Sequence, residues 1–159
     1  MRRVLALATI ALTSLAACES RAPISSPSLV SDGDAKALEV GFVDGPFATP
    51  PGTDPRRRWI DWPESVRAGE PFTVTVRTAG TRCRDVARTD QRVADAGRTI
   101  VVVPHDALQD VEMCPDDLVF LERRVTLRFD APGVGTIVVR GRYFYEGGPA
   151  EQVVRVEVR

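Results

Sequence analysis

Apolar and polar residues alternate with a period of two along most of the second half of the chain. Residues 72–76 read Phe-Thr-Val-Thr-Val, and the same alternation is found in residues 119–129, 137–143 and 154–158. A period of two places successive side chains on opposite faces of an extended backbone. We therefore expect β-strands at these positions, each with one face directed into a core.

Three further segments bring the predicted set to about seven strands. They are the apolar run 100–103, the segment 59–62 with its two tryptophans, and a weaker stretch at 82–88. Turn-forming residues follow the predicted strands, as in Ala-Pro-Gly at 131–133 and Gly-Gly-Pro at 147–149. The pattern predicts an all-β domain, an antiparallel β-sandwich of about seven strands, with a small β-barrel as the alternative.

The first 17 residues have a different pattern. Arg2 and Arg3 precede an apolar run from Val4 to about Leu15, followed by small residues. The run is about a dozen residues long, whereas a bilayer-spanning helix needs roughly 20. This arrangement is typical of an export signal peptide.

The signal segment ends in Leu15-Ala16-Ala17-Cys18, and this motif resembles the lipobox of bacterial lipoprotein precursors. The resemblance implies cleavage before Cys18 and a diacylglyceryl thioether on its sulfur, so that the membrane is the first expected partner. Glu19 follows, where Asp commonly retains the family's proteins at the inner membrane, which favours the outer membrane. The alternative is an ordinary signal peptide whose cleavage site includes a cysteine.

These features divide the chain into three regions. Residues 1–17 form the expected lipoprotein signal peptide. Residues 18–36 hold the expected lipidated cysteine and a flexible linker rich in serine and proline, and residues 37–159 form the β domain. We expect the protein to be exported and anchored to the cell envelope.

The remaining cysteines agree with export. If Cys18 carries lipid, Cys83 and Cys114 are left as an even pair in an oxidising compartment, and we expect them to form a disulfide. The alternative is a metal site built from these cysteines with His105. The three residues lack the paired close spacing of a zinc site.

Two stretches of the β domain resemble bacterial extracellular immunoglobulin-like domains. Residues 63–76 are similar to the first two strands of that family, and residues 129–141 to its last corner and penultimate strand. The resemblance implies an immunoglobulin-like sandwich. Cys83 and Cys114 do not occupy the positions of the antibody disulfide, so we expect their bond to hold a long loop instead.

The sequence offers little machinery for catalysis. His105 is the only histidine, and Ser65 is the only serine outside the signal and linker segments. Nothing around Ser65 has the form of a nucleophile elbow. We predict no catalytic residues, no cofactor and no enzyme activity, and retain a Ser65–His105 pair as the enzymatic alternative.

Two charged segments raise the question of ligands. Carboxylates at Asp106, Asp110, Asp116 and Asp117 form a weak candidate site for Ca²⁺, although they lack the order of a known calcium loop, and a solvated loop is the main interpretation. The segment 56–58 is Arg-Arg-Arg beside Trp59 and Trp62, which suits nucleic acid or anionic lipid headgroups. Since the formal net charge is −1 and the protein is expected to be exported, we predict no nucleic-acid binding.

A last segment suggests a protein partner. If the alternation of residues 137–143 continues, Phe144 shares an outward face with Arg140 and Arg142. An exposed aromatic side chain beside arginines is the composition of a binding hot spot. The sequence therefore favours a non-catalytic, lipid-anchored envelope protein whose domain binds or spaces an envelope protein. A small-ligand or carbohydrate-binding module is the alternative.

Overall fold

The computed structural model describes residues 38–45, 47 and 51–159. The signal peptide, the lipobox with Cys18 and the linker lie outside the described residues. The all-β prediction is confirmed. In the described part the chain forms ten strands and two short 3-10 helices, the helices at Pro55–Arg58 and Asp95–Gly97. The strands are β1 (Leu38–Val40), β2 (Phe42–Asp44), β3 (Ile60–Asp61), β4 (Ser65–Val66), β5 (Phe72–Gly80), β6 (Arg84–Ala94), β7 (Thr99–Leu108), β8 (Val119–Leu127), β9 (Gly133–Tyr143) and β10 (Pro149–Val158).

The predicted alternation determines which side chains are buried. In β10, Ala150, Gln152, Val154, Val156 and Val158 are buried, and every residue between them is exposed. The long strands β5, β8 and β9 contribute buried side chains to the same core through the same alternation. Burial of the branched apolar rows from these strands is the main force that holds the sheets together.

The strands form a sandwich-like pair of layers. One layer contains β6, β7, β9, β10 and β4 in that order, and the other contains β8, β5 and β3. β2 joins the layers, because Phe42 lies opposite Ala79 of β5 on one side and Arg142 of β9 on the other. β1 extends the first layer by pairing with the last part of β7.

The sheet differs from the expected arrangement in two details. Short strands β1, β2 and β4 bring the number from about seven to ten, because two or three residues are too few to show alternation. The sheet is also mixed rather than purely antiparallel, since Thr99–Val102 of β7 pairs in parallel with Thr136–Val139 of β9. The alternation predicts which residues form strands but not which strands become neighbours.

The domain has two ends, which we call the entry end and the far end. The entry end is where strands β5, β7 and β9 finish and where the described chain begins at Leu38, opposite Ala107. The entry end carries the connections 81–83, 109–118 and 144–148. The far end carries 67–71, 95–98 and 128–132, and Arg159 lies beside Ala68 there.

Among the described residues, no helix has the length and apolar character required to cross a membrane.

Candidate functional site

Six aromatic side chains pack together at the entry end. Phe47 lies at the centre, with ring centroids 5.7 Å from Trp59, 5.6 Å from Phe120 and 5.5 Å from Phe144. Phe42 and Tyr145 each lie 5.2 Å from Phe144. We call these six residues the aromatic cluster. Edge-to-face contacts of this kind each contribute about 0.5–1.5 kcal/mol beyond area burial.

A cleft of about 330 Å³ opens beside the aromatic cluster, and we call it the entry cleft. The aromatic residues Phe47 and Trp59 line it, and β10 contributes Gln152. The residues that line it are Asp44, Gly45, Phe47, Pro55, Arg56, Arg58, Trp59 and Gln152. Apolar surface with a few convergent polar groups is the usual composition of a small-ligand site.

Gln152 is the unusual member of this set. It occupies an inward position of β10, between Ala150 and Val154, and is only 9% exposed. Its side-chain amide makes no hydrogen bond within the described part of the chain, yet its polar atoms are not sealed from solvent. Polar atoms that reach solvent and bind no protein group can exchange water for a ligand. Gln152 therefore offers one donor group and one acceptor to whatever occupies the entry cleft.

The charges around the entry cleft balance. Arg56 donates from Nε and Nη2 to the carboxylate of Asp54, at 3.0 and 2.9 Å. The hydrogen bond from the Arg56 side chain lowers the pKa of Asp54, and the same bond raises the pKa of Arg56. Asp44 accepts a 2.7 Å hydrogen bond from the backbone N–H of Gly45 and brings a second carboxylate, opposite in charge to Arg58.

The arginines of segment 56–58 bind groups of their own domain. Arg58 donates to the backbone carbonyl of Phe47, and the guanidinium of Arg57 lies 4.2 Å from the centre of the Trp62 ring. Trp59 is buried in the core. The segment therefore agrees with the interpretation as a charged loop entering an edge strand, with its tryptophans packed inward.

The predicted patch of Arg140, Arg142 and Phe144 is not a single exposed surface. β9 ends at Tyr143, so Phe144 lies in the following turn and is half-buried in the aromatic cluster. Its expected outward position is wrong, because the strand alternation stops one residue earlier. The exposed aromatic side chain of this turn is Tyr145, at 66%.

The two arginines of that patch bind neighbours on their own domain. Arg140 Nε donates to Glu151 of β10 at 2.6 Å. Arg142 Nε donates to the carbonyl of Gly147 at 3.1 Å, and its guanidinium lies 5.2 Å from the centre of the Phe42 ring. Both arginines hold the β9–β10 hairpin and its turn in place.

The structure contains the expected disulfide between Cys83 and Cys114, with a Cα–Cα distance of 5.8 Å. The bond joins the short β5–β6 connection to the long β7–β8 connection, and the N–H of Gln109 donates to the carbonyl of Cys83 at 2.8 Å. The disulfide therefore holds a long loop at the entry end, as the cysteine positions predicted.

The carboxylates of the candidate calcium site do not form a group in the structure. Asp106 lies in β7 rather than in the predicted loop and is fully buried, where it pairs with Arg123 of β8. Asp117 pairs with Arg82. The side chain of Asp106 faces inward because the alternation of β7 continues beyond Val103. Among the described residues, no three His, Cys, Asp or Glu side chains form a group that could hold a metal ion.

The same pair organises a closed polar group between the layers, which we call the buried ion group. Arg123 Nη2 donates to Asp106 Oδ1 and, at 2.9 Å, to Thr78 Oγ1. The Thr78 hydroxyl donates to Asp106 Oδ1 at 3.0 Å, and Arg123 Nη1 donates to the carbonyl of His105 at 2.9 Å. Bonds from three strands thus hold one carboxylate and one guanidinium away from water, while Asp106 Oδ2 and Arg123 Nε are buried without a hydrogen-bond partner among the described residues.

The two residues of the enzymatic alternative lie near opposite ends of the domain. Ser65 lies in β4 at the far end, whereas His105 lies in β7 near the entry end. Nε2 of His105 is 2.9 Å from Asp90 Oδ2, on the neighbouring strand β6. The structure therefore does not bring Ser65 and His105 together.

Sequence reasoning missed Gln152, although the signal was present. Extending the alternation of Val154, Val156 and Val158 backwards by one step places Gln152 on the buried face. A polar residue at a predicted core position marks a site that needs a partner.

Comparison with protein-family models, with curated proteins and with solved structures finds no match to this chain.

Proposed function

We propose that this protein is a non-catalytic, lipid-anchored component of the cell envelope whose β domain recognises another envelope component at its entry end. The anchor is a lipid on Cys18, and the envelope membrane is the first partner. Two or more acyl chains hold a protein stably, because each buried CH₂ contributes about 0.8 kcal/mol.

Two observations support export and anchoring. The lipobox sequence Leu15-Ala16-Ala17-Cys18 precedes the described domain, and the disulfide between Cys83 and Cys114 is typical of proteins in oxidising compartments. Glu19 favours the outer membrane.

The observation that carries the recognition proposal is the exposed aromatic surface of the entry end. Phe120 and Tyr145 remain exposed there, at 40% and 66%, beside the rest of the aromatic cluster. Aromatic residues and arginine are the side chains most enriched at binding hot spots. Since Leu38 also lies at this end, only about 20 residues separate it from Cys18. Confinement by an anchor raises the effective concentration of neighbouring partners, so a weak interface is sufficient.

Anchoring is tested by metabolic labelling with palmitate and by intact mass. The wild-type chain is expected to take up label and to begin at Cys18 with an added lipid mass. Cys18→Ser is expected to lose the label and leave the membrane fraction. An unlabelled wild-type chain with its leader intact would contradict the proposal.

Recognition is tested by site-specific photo-crosslinking in intact cells. A photoreactive residue replaces Tyr145 at the entry end or, as the matched control, Val134 at the far end, since both side chains are more than 60% exposed. We expect one discrete adduct from position 145 and none from position 134. Equal adducts from both positions would mean that the entry end has no special role.

The second candidate function is a small-ligand or carbohydrate-binding module. The entry cleft with the unpartnered amide of Gln152 is the observation that favours it.

A further inference from the structure

We infer that the entry cleft binds one uncharged, hydroxylated ring, such as a single pyranose unit of a glycan, with the amide of Gln152 as its central hydrogen-bonding group. The inference names the ligand class of the recognition end and rests on the proposed function only in taking the domain to be a binding module.

The position of Gln152 makes its amide available to a ligand in the cleft. The amide is held on the core face of β10 by the alternation of its strand, with Ala150 and Val154 on either side. It has no partner among the described residues, and it lines the entry cleft. A ligand that both donates and accepts would satisfy both ends of the amide, and a pair of adjacent hydroxyl groups does this.

The entry cleft carries charged groups of both signs. Its two guanidinium groups are engaged within the protein, Arg56 with the carboxylate of Asp54 and Arg58 with the carbonyl of Phe47, and Asp44 adds a second carboxylate to the lining. An anionic ligand would meet the carboxylate of Asp44, and a cationic one would meet Arg58. The balance favours an uncharged ligand, and the Asp44 carboxylate is a strong acceptor for its hydroxyl groups.

The size and the aromatic lining of the cleft limit the kind of ligand that fits. Phe47 lines the cleft beside these polar groups, and an aromatic side chain there suits the C–H face of a sugar ring; Trp59, which contacts Phe47, is only 3% exposed. The volume of about 330 Å³ is near the lower end of ligand pockets, which run from about 300 to 1,000 Å³. The cleft therefore suits a single ring rather than an extended chain.

The test is ligand-observed NMR on the full exported chain. The protein is held in an amine-oxide detergent, because alkyl glycoside detergents would present the same hydroxyl groups. The probes are the methyl glycosides of glucose, galactose, mannose and N-acetylglucosamine. Saturation transfer is expected to at least one of them, with a dissociation constant of about 1 mM, a typical weak affinity.

The variant Gln152→Leu removes the amide and keeps the volume. We expect it to weaken the bound glycoside at least about tenfold, the effect of losing one well-placed hydrogen bond. Gln91→Leu makes the same change at an exposed position of β6 and is expected to leave the affinity within about twofold.

Three outcomes would overturn the inference. They are no saturation transfer to any glycoside at about 20 mM, well above the expected dissociation constant; unchanged binding by Gln152→Leu; or binding of inorganic phosphate without any glycoside. The titration uses purified protein, so its result does not depend on whether Cys18 carries lipid. Failure of the palmitate experiment would remove the anchor and leave the cleft assignment intact.

Discussion

Polar side chains interrupt the apolar core of the sandwich at two places, and the two places differ in hydrogen bonding and in access to solvent. In the buried ion group, Arg123, Asp106 and Thr78 bind one another across the two layers. In the entry cleft, Gln152 lies on the core face of its strand with no partner among the described residues. Both positions interrupt apolar rows, but only the second remains open to solvent.

The comparison distinguishes polar side chains that hold the fold together from a polar side chain that is available to a ligand. A charged pair that is closed by its own protein fixes how two layers meet, and the loss of one partner leaves an uncompensated buried charge. An amide that is open to solvent adds nothing of this kind to the fold, and it occupies an inward position where an apolar side chain would bury more apolar surface. Removing the first group should therefore damage the domain, whereas removing the second should strengthen it.

The largest effect is expected from Arg123→Ala. This change leaves the Asp106 carboxylate buried without its cation, and we expect a loss of about 3–5 kcal/mol in the free energy of unfolding. Denaturant titration measures it. Arg124→Ala, at the next and exposed position of β8, is the matched control and should stay within about 0.5 kcal/mol. A loss below about 1 kcal/mol in Arg123→Ala would mean that the ion group is not what joins the layers.

The next effect tests how tightly the ion group is closed. A Cβ at Gly41 would lie 2.3 Å from Thr78 Cγ2 and 2.7 Å from Asp106 Oδ2. Gly41→Ala is therefore expected to cost about 1–3 kcal/mol through overpacking, measured by thermal unfolding. Gly148→Ala is the control, since an added Cβ there meets nothing within 4 Å. Equal melting temperatures for the two variants would show that the group has room to adjust.

A smaller effect of opposite sign is expected in the entry cleft. Gln152→Leu replaces the amide by an apolar side chain among valines, and we expect the added apolar burial to stabilise the domain by about 1 kcal/mol. The melting temperature should rise by roughly 4 °C, measured by calorimetry. A fall in melting temperature would give Gln152 a structural role and remove the contrast with Arg123.

The smallest effect concerns the charge balance of the cleft. The hydrogen bond from Arg56 holds the pKa of the Asp54 carboxyl below its ordinary value of 3.8. The small stabilisation from this pair is therefore present at neutral pH and is lost as the pH falls through the lowered pKa. NMR titration of the carboxyl carbon measures the shift, and Arg56→Gln should return the pKa of Asp54 to its ordinary range. An unchanged pKa in that variant would mean that Arg56 is not held by Asp54.

Much of the fold could be predicted because strand periodicity is a local property. The alternation at 72–76 and 154–158 is readable from adjacent residues, and these segments lie within β5 and β10. The parallel pairing of β7 with β9 could not be predicted in this way. It depends on which apolar faces meet in space, and many strand orders satisfy the same alternation.

The candidate site was less accessible to sequence reasoning. Phe144 was expected outside because the alternation gives no sign of where β9 ends, and the turn directs its ring into the aromatic cluster. Asp106 was expected in a solvated loop because its neighbours in sequence are acidic, while its partner Arg123 lies 17 residues away on another strand. Ion pairs and clefts between distant segments leave no local pattern.

The parallel pairing of β7 with β9 also constrains how the domain can fold. Thr99 lies opposite Thr136, and the chain between them includes β8 of the other layer. The sheet is therefore not made of consecutive hairpins alone, because its central contact joins segments that are distant in sequence. Such non-local topology is characteristic of domains that refold in milliseconds to seconds rather than microseconds.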